Sequence, residues 1–138
     1  MGKRRRAREI VLQALYEAEF SERSTHDIIE EQIGRRTPSD ETAEYARTLF
    51  LKTMEKKADL DQVIQSLLEN WDPQRVSLVD RNILRFALAE VLYFPDVPAR
   101  VIIDEAIEVA HRFSSEEAGR FVNGLVDRFV KEFRKDGA

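Results

Sequence analysis

The sequence has no cysteine among its 138 residues. That removes disulfides, thiol nucleophiles and thiolate metal sites together, and fits a reducing compartment. It also has no run of about 18 apolar residues of the kind that spans a bilayer. Its opening stretch, MGKRRRAREIVLQALYEAEF, fails as a secretory signal because Gln13, Glu17 and Glu19 interrupt the apolar part. A cytoplasmic protein is the expectation. Catalytic signatures are missing as well: no glycine-rich loop follows a strand, and no nucleophile motif or paired metal motif is present. The nearest approach is Glu108-x-x-His111 with Asp104 one turn earlier. A di-metal site in a helix bundle needs a second copy of that motif and two further carboxylates. No enzyme activity, metal or cofactor is therefore expected.

What the sequence does have is helical periodicity, with nothing that alternates like a half-buried strand. Ala7, Ile10, Val11, Ala14, Leu15 and Ala18 give a first helix from about Arg5 to Phe20. Thr25 is placed to cap a second, which carries Ile28, Ile29 and Ile33 and would stop at Gly34. Ser39 or Asp40 starts a third, and Asp59 with Gln62 caps a fourth that ends at NWDP, residues 70–73. Ser77 with Asp80 caps a fifth. The sixth runs from near Val101 to Phe113, and Ser114 with Glu117 caps the seventh. The expected fold is all-α, with about seven helices in two packed subdomains, 1–72 and 73–138, joined at NWDP into one unit.

Charge is unevenly spread. Net charge is −4, but Lys3, Arg4, Arg5, Arg6 and Arg8 hold five of the 22 basic residues, leaving 17 against 26 acids, a balance of −9. A basic end on an acidic body suits a terminus that meets phosphates and a body that meets a basic protein, although a short basic run can also be a solvated end. Around the first helix, Tyr16 lies within about 20° of Arg5 and Phe20 within about 60°, away from the Ala/Ile/Val stripe. Arginines for phosphates with aromatics for stacking is the combination that binds single-stranded nucleic acid. The competing reading makes Leu12, Tyr16 and Phe20 a second core stripe.

The last helix contains a contradiction. FVNGLVDRF, residues 121–129, carries the Asn-Gly pair typical of a hairpin, inside a regular helical pattern. Glycine there costs about 1 kcal/mol relative to alanine. Glu117, Phe121, Gly124 and Arg128 share one stripe by their spacing. Either a close neighbour or a close ligand at Gly124 would explain the glycine, with Asn123 hydrogen-bonding across the gap.

RRRAREIVLQALY, DRNILRFALAE, DVPARVIIDEAIEVA and EEAGRFVNGLVDR, in that order and across nearly the whole chain, resemble the NusB transcription antitermination family. The resemblance implies a non-enzymatic RNA-binding factor that takes boxA RNA together with the ribosomal protein NusE and joins the elongating RNA polymerase complex. It carries RNA contact onto Arg4, Arg5, Arg6, Arg8 and Tyr16, and onto Glu117 and Phe121, whose stripe adds Arg128 as a further RNA-binding candidate. NusE contact falls on Asp80. A homodimer stays open. The chain departs from the family at Asp104, where Asn is expected, and at His111-Arg112, where a lysine pair is common, so the outer face of the sixth helix is less basic. NusB-like domains also precede RNA cytosine methyltransferase domains. The length and the missing cysteine nucleophile argue against that reading, and a helical protein-interaction module with an incidental basic end is the remaining rival.

Overall fold

The computed structural model describes residues 2–69 and 76–134. Among them are seven helices and no strand: α1 (Gly2–Ala18), α2 (Thr25–Arg36), α3 (Asp40–Glu55), α4 (Lys57–Leu67), α5 (Leu78–Tyr93), α6 (Ala99–Phe113) and α7 (Glu116–Phe133). The NWDP junction lies outside the described residues. No described helix is long and apolar enough to cross a membrane.

Caps decide several helix ends differently from the sequence pattern. Ser24, not Thr25, caps α2 by accepting from the Asp27 N–H. Gly34 does not stop that helix. It runs on to Arg36 and ends at Thr37, which takes a left-handed φ of 41° while its N–H closes on the Ile33 carbonyl. Ser39 caps α3 through the Thr42 N–H. Asp59 lies inside the first turn of α4, because α3 hands over to α4 directly at Lys56 with no side-chain cap. Pro98 precedes α6, which starts at Ala99, two residues before the expected Val101. Ser115, not Ser114, caps α7: its hydroxyl accepts from the Ala118 N–H at 2.9 Å. Glu117 is thus the second residue of the helix and has no part in a capping box.

α5 is the axis of the molecule. Every residue from Asn82 to Val91 is buried, and α5 packs against α1, α3, α4, α6 and α7. One apolar cluster runs through all seven helices, with Ile10 and Val11 of α1 in the same core as Leu84, Phe86, Val126 and Phe129. The buried charges of α5 are matched individually, Glu90 by Arg8 of α1. Arg85 donates to Asp61 on α4, to Glu19 just beyond α1 and to Asn82. At the other end of α5, Arg134 donates to the carbonyls of Glu90, Val91, Phe94 and Val97. One guanidinium thereby satisfies acceptors that the end of a helix leaves open.

Candidate nucleic-acid interface

The arginine run lies on a helix, and about 100° per residue sends its members in different directions. Arg4 projects over the Tyr45 ring of α3, 4.6 Å from its centroid. Arg6 donates to the Arg36 carbonyl at the end of α2. Arg5 turns toward α6 and makes a two-pronged bond to Glu105 at 2.8 and 2.9 Å. Glu105 is buried while Arg5 keeps 41% of its side chain exposed. The Arg5 hydrogen bonds hold the Glu105 carboxyl below the ordinary glutamate range in spite of burial, and the same bonds raise Arg5.

Arg8 corrects the expectation. It is fully buried, with both prongs on Glu90 of α5 at 2.7 Å, and Glu90 is equally buried. Burial works against the Arg8 charge, and the Glu90 hydrogen bonds and charge more than offset it, leaving the pKa above the usual arginine value. The Tyr45 hydroxyl donates to the same carboxylate at 2.5 Å, and burial first, then the Glu90 charge, push that phenol well above its ordinary pKa. Arg8 is a core cation with no surface for a phosphate.

α1 ends at Ala18, short of the expected Phe20, which lies in the turn beyond the helix; Tyr16 and Phe20 are nonetheless both exposed. Leu12 is buried at 3%, whereas Tyr16 is 43% and Phe20 72% exposed, so the second core stripe considered from the sequence splits. The two rings lie 5.3 Å apart between centroids. Beside Tyr16 is a shallow cleft of about 180 Å³ lined by Leu12, Gln13 and Tyr16 of α1, Val79 of α5 and Phe113 of α6. Asp80, the residue after Val79, is half-buried. Its N–H donates to Ser77, and its Oδ1 is buried with no hydrogen-bond partner among the described residues.

On α7 the predicted stripe is present but uneven. Glu117 and Arg128 are exposed, and Phe121 is half-buried against the core. Arg128 reaches the Leu67 carbonyl at the end of α4 at 3.4 Å. Gly124 is exposed, and a Cβ placed there meets nothing within 4 Å. Among the described residues no neighbour requires that glycine, and Asn123, exposed beside it, has no hydrogen-bond partner. The close approach occurs instead at Gly119, where a Cβ would stand 2.2 Å from Nε2 of His111. His111 is thus packed across the α6/α7 contact, with Asp104 and Glu108 exposed on α6.

The sequence reading missed the acids that hold these arginines. Glu105 sits one turn from Ile102 and Val109 on the buried stripe of α6, and a carboxylate on an apolar stripe signals a buried partner. Glu90 carries the same signal inside α5.

The NusB family profile matches residues 5–131. A transcription antitermination protein NusB from Elusimicrobium minutum is 42% identical, with 99% of each chain covered. The protein of that name from Myxococcus xanthus is 38% identical over 98% of this chain and 99% of its own. Among solved structures, T. maritima NusB superposes with a TM-score of 0.86 at 41% identity, covering 96% of this chain and 93% of its own. A structure of the antitermination factors NusB and NusE in complex with dsRNA gives the same TM-score at 22% identity, over 96% of this chain and 99% of its own, a likeness of fold. The chain belongs to the NusB family.

Proposed function

We propose that this protein is a cytoplasmic transcription antitermination factor that binds boxA RNA as a single strand, together with NusE, and joins the elongating RNA polymerase complex. The observation that carries the reading is the outer face of α1. Tyr16 is an exposed aromatic on the side of the helix that bears Arg5, the exposed Phe20 ring lies near it in the turn beyond α1, and the opposite side of the helix is buried. Exposed rings beside a cation are what a sequence-tolerant single-strand site needs, and an isolated fold gains nothing from keeping them wet. The relatives' common name, transcription antitermination protein, supports the same function.

In this reading Arg4, Arg5 and Arg6 approach phosphates at one end of α1 and bases stack on Tyr16 toward the other. Phe121, Gly124 and Arg128 continue the path on α7, and Glu117 is a carboxylate beside it. Asp80 lies next to the cleft that Tyr16 lines, so a NusE site there would adjoin the RNA path. The acidic body favours a basic partner. Binding, not catalysis, is the proposed activity. Tyr16→Ala tests the face: loss of about 1 to 3 kcal/mol of RNA binding is expected from one unstacked base, at nearly parental thermal stability. Asp80→Lys should slow NusE association at low salt and leave RNA binding by the isolated protein in place. Parental RNA affinity in the Tyr16 variant would remove stacking on α1 from the account.

A further inference from the structure

The RNA face of α1 has an acid in its middle. Arg5, Glu9, Gln13 and Tyr16 follow one another along the stripe at four- and three-residue steps. Glu9 stands roughly 6 Å beyond Arg5 and roughly 10 Å before Tyr16 along the axis. A bare carboxylate there would repel a phosphate chain running from the arginine to the aromatics. It is not bare. Arg112, at the C-terminal turn of α6, reaches across to Glu9 with Nη1 at 3.2 Å from Oε2. The acid lies beneath, 16% exposed, and the guanidinium lies outside, 68% exposed. The same guanidinium stands 5.5 Å from the Phe113 ring centroid, and Phe113 lines the cleft beside Tyr16.

Resting on the RNA-binding reading above, we propose that Arg112 is a phosphate contact in the RNA path between Arg5 and Tyr16, with Glu9 as the residue that positions it. Arg112 is better suited to that task than Arg5 or Arg8. Arg8 is buried, and Arg5 spends both prongs on Glu105. Among the described residues Arg112 makes one hydrogen bond, to Glu9, which leaves most of its five N–H donors for a phosphate. Its salt bridge orients the side chain along α1 and covers the acid in the track. His111 and Arg112 thereby divide two tasks: the imidazole packs on Gly119 of α7, and the guanidinium faces the RNA.

The test is titration of fluorescein-labelled single-stranded boxA RNA at several salt concentrations with the parent, Arg112→Gln, Arg112→Lys and the double variant Glu9→Gln/Arg112→Gln. Arg112→Gln should bind about two- to fivefold more weakly, the scale of an exposed charge pair. Its salt slope should fall by about 0.7, one single-strand phosphate contact. Arg112→Lys should keep the slope. The double variant should regain part of the affinity, because the uncovered acid is gone, without regaining the slope. A parental slope and affinity in Arg112→Gln would overturn the assignment while leaving the RNA reading intact. No recovery in the double variant would overturn the role given to Glu9. Absence of salt-dependent binding by the parent would overturn both readings.

Discussion

Replacing Gly124 by alanine should make the protein more stable and a poorer RNA binder. The stability gain follows from local facts: Gly124 is inside α7, is exposed, has no positive φ, and a Cβ there meets nothing within 4 Å. Alanine then brings its helix-propensity advantage of about 0.8 to 1.0 kcal/mol at no steric cost, partly by restricting the unfolded chain. With roughly 2.1 cal/mol/K of unfolding entropy per residue, a chain of this size has about 0.3 kcal/mol per kelvin, so Tm should rise by about 3 °C. Gly119→Ala is the internal control. Its Cβ would meet the His111 ring, and even if the imidazole swings aside the gain should be smaller. Circular dichroism melts of the three proteins read the first effect and titration with boxA RNA the second. A methyl group at a point of close backbone approach should weaken binding while Tm rises. A lower Tm for Gly124→Ala would refute the propensity argument. A higher Tm with unchanged RNA affinity would refute the view that a ligand explains the glycine.

Arg8→Ala should lose about 3 to 5 kcal/mol of stability in urea melts, because it strands the buried Glu90 carboxylate; Arg4→Ala, which among the described residues gives up a cation–π contact, should lose about 0.5 to 1 kcal/mol. Similar losses for the two would place Arg8 at the surface after all. Glu117→Gln should bind RNA more tightly at low salt, by some tenths to about 1 kcal/mol, with the gain shrinking as salt is raised. Its fold should lose only a few tenths of a kcal/mol of helix-dipole stabilisation, since Ser115 and Ala118 carry the cap; weaker binding would move the RNA path off this stripe. Glu105, held by Arg5 below the ordinary glutamate range, gives stability that is complete above about pH 4.3 and is lost as pH falls through its depressed value. Glu105→Gln should therefore show a shallower acid loss of stability than the parent, and equal acid slopes would contradict the pairing.

The helices were legible because apolar residues repeat at helical spacing in a chain with few breakers; Ser77 caps as read, and of Ser39 and Asp40 it is Ser39 that caps α3. Ends failed where a rule had two candidates. Ser114 and Ser115 both suit an N-cap, and backbone geometry chose the second. Gly34 resembled a terminator, yet an exposed glycine can stay helical when the next turn still closes its bonds, and Thr37 took the left-handed position instead. Arg8 shows the limit of reading a charge run as one feature. Its spacing to Val11 and Leu15 puts it on a buried stripe, and only the fold reveals Glu90, 82 residues away, as the partner that makes burial tolerable. Arg5 with Glu105 and Arg112 with Glu9 are likewise long-range pairs. Local periodicity predicts which face a residue occupies, not what another helix will set against it. Tyr16 was readable for the opposite reason: it lies away from the apolar stripe of its own helix and keeps much of its ring exposed, as Phe20 does in the turn beyond.

The central claim is that α1 presents an RNA-binding face in a protein that works with NusE. The measurement that tests it most directly is fluorescence titration of single-stranded boxA RNA with the parent protein across a range of salt, alone and with NusE added. The account predicts binding that weakens as salt rises, at about 0.7 in log affinity per log salt for each phosphate contact, that tightens with NusE, and that falls by about 1 to 3 kcal/mol in Tyr16→Ala. Salt-independent or undetectable binding, with or without NusE, would contradict it.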